Sequence, residues 1–151
     1  MPYADNNGIR INYELAGDPA KPPLVMQHGT SGDLNTWYDR GFVQRLGDSF
    51  HLVLIDARGA GLSDKPHDVA SYSQEKRGAD VIAVLDAAGV GQSHFFGYSM
   101  GGLIGAAVLQ HHPERLLGIV LGGYNPYHPR SLATPAATQA EFDDEVKNRP
   151  G

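Results

Sequence analysis

The stretch that decides the reading of this chain is His94-Phe95-Phe96-Gly97-Tyr98-Ser99-Met100-Gly101-Gly102. Its first three residues are a short apolar run ended by glycine, the pattern of a strand buried on both faces. Directly after it, Met100 to His112 carries Leu103, Ile104, Ala107 and Val108 at helical spacing, and Pro113 stops the helix. Ser99 therefore stands at a strand–turn–helix junction inside a G-x-S-x-G string, the setting of a nucleophile elbow. Gly97 and Gly101 have a steric reason, because strand and helix approach so closely at such a turn that side chains would clash. The serine is expected in a strained conformation that lifts its Oγ above the sheet. The same string also fits a glycine turn serving a phosphate, or plain helix capping by Ser99.

Outward from this turn, similar runs recur. Leu24-Val25-Met26 ends at His28-Gly29, Leu52 to Ile55 ends at Asp56, and Ile119-Val120-Leu121 ends at Gly122-Gly123. Ile9 to Leu15 alternates apolar and polar, as a half-exposed antiparallel strand does. Thr36 to Leu46 is a predicted helix bearing Trp37, Phe42, Val43 and Leu46. Ser73 to Ala88 is another, with Val81, Val84 and Leu85 facing inward and Gly89 as its stop. Strands alternating with helices indicate an α/β fold with a mostly parallel, doubly wound sheet. Residues 1–123 read as one core. Residues 124–151 read as a loop and the start of a cap- or lid-like helical segment, with Thr134-Pro135 as a helix start.

Two further motifs sit at strand ends. Gln27-His28-Gly29-Thr30 is a glycine turn that can aim the Thr30 N–H at the centre where Ser99 would react. With the Met100 N–H it would form an oxyanion hole, in which losing one donor costs ~2.7–4 kcal/mol of transition-state stabilisation. His28 itself reads better as a buried, hydrogen-bonded residue that shapes the turn. The run Asp56-Ala57-Arg58-Gly59-Ala60-Gly61-Leu62-Ser63-Asp64 superficially suggests a dinucleotide loop. The third glycine would fall at Asp64 and no helix opens there, so that reading fails. Asp56 and Arg58 are expected to tie the loop by charge and hydrogen bonds.

The 151 residues include no cysteine, which excludes disulfides, thiolate zinc sites and a cysteine nucleophile. Net charge is −5, which argues against a nucleic-acid or anionic-membrane partner. Met1 to Asp5 lacks the features of a signal peptide, and no apolar run reaches the ~18 residues of a membrane span. A cytoplasmic protein without cofactor is expected. His111 and His112 are adjacent and no H-x-x-x-H spacing exists, so no metal site is expected either.

Taken together, the turn at His28-Gly29-Thr30, the loop from Asp56 to Ser63 and the elbow from Gly97 to Gly102 resemble the α/β-hydrolase superfamily. The likeness is to its esterase, haloperoxidase-like and enol-lactonase-like branch, and it covers about residues 5 to 123. The resemblance implies a strand order of 1-2-4-3-5-6, with the runs at Leu24, Leu52, His94 and Ile119 as the third to sixth strands. A serine at position 99 implies an acyl-transferring member, whereas related epoxide hydrolases and haloalkane dehalogenases place aspartate there. Gly29, Gly97, Gly101 and Gly102 would support the site, and a small ester-like molecule would be the substrate.

The resemblance also implies an acid after a seventh strand and a histidine after an eighth. Residues 124–151 are too few for two more βα units of around 30 residues each, so a core truncated after about the sixth strand is expected. His111, His112 and Glu114 would lie roughly 17–20 Å from Ser99 along their helix, too far for a base. His51 and His94 sit at the opposite edge of the sheet, and the sequence does not place His67. His28 and His128 are left, with His128 the candidate substitute base. Two readings follow. One is a serine hydrolase of esters, lactones or thioesters, weak or inactive in this form. The other is a non-catalytic scaffold that self-associates through the open Ile119–Leu121 edge.

Overall fold

The computed structural model describes residues 2–125. Six strands form one sheet in the order β1-β2-β4-β3-β5-β6, as the resemblance implies. β1 (Tyr3–Asn6) and β2 (Ile9–Ala16) make an antiparallel hairpin. Asn7 and Gly8 join them with φ of 55° and 85°. Two left-handed residues in a two-residue loop match the right-handed twist of paired strands, which is why Asn-Gly is favoured there. β1 has too little alternation to be legible from its own residues, and the Asn7-Gly8 pair is the signal that marks it.

β2 runs antiparallel to β4 (His51–Ile55), with Tyr13 opposite Ile55. β3 (Pro23–Gln27) lies parallel between β4 and β5 (Ser93–Tyr98), and β6 (Leu116–Gly122) lies parallel to β5. Both faces of the central strands are covered. Leu24, Met26, Leu52 and Leu54 pack with Leu34 and Trp37 on one face. Val25, Val53, Ile55 and Phe95 pack on the other against α3 (Gln74–Ala87) and α4 (Met100–His111), through Val81, Val84, Leu85, Ile104 and Val108. Each fully buried aliphatic contributes ~1.5–3 kcal/mol. This double burial explains why the strands read as continuous apolar runs.

α3 opens at Ser73, whose Oγ accepts the Lys76 N–H at 3.3 Å, and Gly89 at φ 69° ends it. The single helix expected over Thr36–Leu46 is instead two, α1 (Asn35–Asp39) and α2 (Phe42–Leu46). Gly41, at φ 72°, breaks them, since a left-handed residue cannot continue the α ladder. Apolar spacing alone does not reveal such a break.

β6 is an outermost strand, and no strand lies beyond it among the described residues. Its Leu117 and Val120 are 51% and 60% exposed. The expected Thr134-Pro135 helix start, the rest of the cap-like segment and His128 lie outside the described residues. Among the described residues, no helix is long and apolar enough to cross a membrane.

Candidate active site

Ser99 joins β5 to α4 with φ 54° and ψ −112°. A non-glycine residue held there stores on the order of 1–3 kcal/mol. Backbone bonds hold it on both sides. Its N–H donates to the Gly122 carbonyl at 2.8 Å, and its carbonyl accepts the Leu103 N–H at 3.1 Å. Ser99 thus occupies the cap position of α4, yet its side chain makes no capping bond. The hydroxyl is uncommitted among the described residues.

The glycines have measurable reasons. A Cβ on Gly97 would lie 2.2 Å from the Gly101 carbonyl oxygen, and one on Gly101 would lie 2.0 Å from the Gln27 carbonyl oxygen. Any side chain at either would push α4 off the sheet. Gly102 would meet the Tyr124 Cβ at 2.6 Å. Gly29 is looser: its Cβ would sit 3.4 Å from the Ser99 Cβ, which places the turn after β3 directly against the elbow. Thr30, the next residue, lines the same cavity as Ser99. The Thr30 N–H meets no acceptor among the described residues. As the first residue of α4, Met100 has an N–H with no intrahelical acceptor.

His28 is 1% exposed, and both ring nitrogens are engaged. Nε2 accepts the Ala57 N–H at 3.1 Å, and Nδ1 lies 2.8 Å from the Gly29 carbonyl oxygen. These partners assign the proton to Nδ1. With its lone pair bound to a buried amide, His28 is not free to take a proton from Ser99. Its two bonds join the turn after β3 to the loop after β4 and leave no ring nitrogen for Ser99. His128 lies outside the described residues. His94 stacks edge-on against Phe50, with ring centroids 6.2 Å apart, near the start of β5, and His51 opens β4. His111 ends α4, and His112 faces Glu114 at 3.8 Å. Among the described residues, no three His, Cys, Asp or Glu side chains are grouped to hold a metal ion.

Asp56 and Arg58 do tie the loop after β4, but through separate partners. Asp56, 1% exposed, accepts the Leu34 and Leu62 N–H groups at 2.8 Å each and the Asn12 amide at 2.9 Å. Arg58 makes a two-pronged pair with Asp80 of α3, both bonds 2.6 Å, and also donates to the Ser71 carbonyl. Asn12 and Asp80 escape a motif reading. The signal for Asp80 is a carboxylate next to Val81 on the apolar face of α3, since a charge there needs a partner.

Ser99 opens onto a cavity of about 540 Å³. Its walls include Trp37, Phe42, Phe96 and Tyr98. Trp37 packs edge-on against Phe42 at 5.3 Å and tilted against Phe96 at 5.4 Å, measured between ring centroids. In sequence, Trp37 and Phe42 look like ordinary core residues. Arg40 also lines the cavity.

Known proteins share this fold. The family model described as "alpha/beta hydrolase fold" matches residues 22–151. The chain is 32% identical over 113 residues to 3-oxoadipate enol-lactonase 2 of Acinetobacter baylyi, covering 75% of this chain and 41% of that protein. It is 38% identical over 120 residues to rhodomycin D methylesterase DauP of a Streptomyces species, covering 76% and 40%. Among solved structures, the enol-lactonase from Burkholderia xenovorans superposes with a TM-score of 0.73 at 31% identity, covering 80% of this chain and 45% of that one. The chain thus spans less than half the length of these relatives. The six-strand order, the elbow at Ser99 and this match together place the chain in the alpha/beta hydrolase fold family.

Proposed function

We propose that Ser99 is the nucleophile of a serine hydrolase acting on a carboxylic ester, lactone or thioester. The observation that carries this reading is the uncommitted Ser99 hydroxyl, held at φ 54° beside a cavity. The two relatives named above, an enol-lactonase and a methylesterase, support the substrate class. Ser99 Oγ attacks the carbonyl carbon and its proton passes to a base. The resulting oxyanion rests on the Thr30 and Met100 N–H groups. The bond to the leaving oxygen or sulfur then breaks, the leaving group takes the proton, and water releases the acyl group from Ser99. Gly29, Gly97, Gly101 and Gly102 hold these parts together, while Asp56, Arg58 and His28 fix the loops around them.

Among the described residues, His28 is the one histidine that lines the cavity, and both of its ring nitrogens are engaged. Assayed by itself, the 151-residue chain is therefore expected to show weak turnover of activated esters or none. Oxyanion and binding contributions alone leave ~10³–10⁴-fold over water in a related triad. A fluorophosphonate probe tests the assignment. Labelling at Ser99, located by peptide mass and lost in Ser99→Ala, supports an activated nucleophile; an unlabelled Ser99 supports the non-catalytic scaffold instead.

A second reading rests on β6. Its exposed Leu117 and Val120 and its outer side, unpaired among the described residues, favour a homodimer joined edge to edge. Light scattering at tens of micromolar separates the two readings, since a clean monomer removes the second.

A further inference from the structure

Among the described residues, one formally charged side chain lines the cavity at Ser99, and it is Arg40. The other walls are aromatic rings, hydroxyls and glycines, together with His28, whose ring nitrogens are both engaged. Arg40 is exposed and borders the cavity, so it stands at the rim, with its guanidinium unpaired among the described residues. Its position follows from the break at Gly41. In an unbroken helix, Phe42 would point about 140° away from Trp37 at 3.6 residues per turn. The left-handed Gly41 redirects the chain, and Trp37, Arg40 and Phe42 all border one space. The result is an apolar wall with a single cation at its edge, in a chain whose net charge is −5. A guanidinium so placed presents a donor fork that matches a carboxylate.

We propose that Arg40 is a specificity residue, and that the cavity takes esters or lactones whose non-reacting end carries a carboxylate. This rests on the ester chemistry assigned to Ser99 above. The apolar middle of such a molecule lies against Trp37, Phe42 and Phe96, its carbonyl faces Ser99, and its anionic end meets Arg40.

Binding to the Ser99→Ala chain tests the proposal without turnover. Trp37 is the single tryptophan and forms part of the cavity wall, so its fluorescence reports occupancy. Monomethyl glutarate and dimethyl glutarate differ by one negative charge and are the probes. The anion is expected to bind about tenfold tighter at low ionic strength, with a gap that narrows as salt rises. Arg40→Gln should bring the two affinities within about twofold of each other, and Arg40→Lys should keep part of the gap. Equal affinities in the Arg40 chain, a gap unchanged in Arg40→Gln, or no saturable response to the anion would each overturn the proposal. An unreactive Ser99 in the fluorophosphonate experiment would favour the scaffold reading over the serine chemistry and leave this binding result standing.

Discussion

The Ala57 N–H donates to His28 Nε2 at 3.1 Å, and this bond stitches the turn after β3 to the loop after β4. Both residues are buried, at 1% and 5% exposure. The turn that presents Thr30 to the cavity is thereby fixed by a bond made one strand away. Replacing His28 with Leu leaves a buried amide without an acceptor, a loss of about 1–3 kcal/mol. A lower urea midpoint with an unchanged slope, the product of shift and slope equal to that loss, is the expected outcome.

Arg58 and Asp80 bond at 2.6 Å with side-chain exposures of only 3% and 5%. Removing one partner strands a buried charge. Asp80→Leu or Arg58→Met alone should cost about 3–5 kcal/mol, and the double variant should cost less than either single change. A double-mutant cycle measured by chemical denaturation checks the sign of the coupling. Additive losses would mean that the pair is not a unit.

Gly101 and Gly91 make a matched comparison. A Cβ at Gly101 would collide with backbone at 2.0 Å, whereas one at Gly91 meets nothing within 4 Å. Gly101→Ala should cost at least ~3 kcal/mol or prevent folding, and Gly91→Ala should stay within about 0.5 kcal/mol of the parent. Thermal melts of the two variants suffice.

Ser99 supplies a trade between chemistry and stability. Its φ of 54° with ψ of −112° is natural only for glycine. Ser99→Gly should therefore be more stable than Ser99→Ala by about 1 kcal/mol, reversing the usual ranking of the two residues. Neither variant should react with the fluorophosphonate.

Tyr38 carries a pH dependence. Burial first, and then its hydrogen bond to Glu14, pushes its hydroxyl from 10.0 up to about 12. The unfolded chain ionises first, so the folded state holds the extra proton between those values. The stability contributed by this group is fully present below pH 10 and is lost as pH rises towards 12. Tyr38→Phe should flatten that part of the stability-versus-pH curve relative to the parent.

Much of this architecture is written in local pattern. The buried strands announce themselves because burial on two faces forces continuous apolar runs, and the elbow announces itself because only glycine fits beside Ser99. The break at Gly41 is less visible, since one glycine in a helical pattern is compatible with continuation. Asp80 and Asn12 are less visible again, because their roles depend on partners 22 and 44 residues away. Arg40 gains meaning only once the break at Gly41 places Phe42 on the same cavity. Contacts between distant segments are the part that spacing rules do not carry.

The central position of β3 has a kinetic consequence. Its neighbours, β4 and β5, begin at His51 and Ser93, well after β3 itself ends at Gln27. On a ribosome adding ~5–20 residues per second, β5 is complete roughly 4–14 s after β3. During that interval Leu24-Val25-Met26 is an apolar segment with an unpaired side, open to capture by other nascent chains. Among the described strands, the one that later seats the turn before Thr30 is thus also the one that waits longest for its second neighbour.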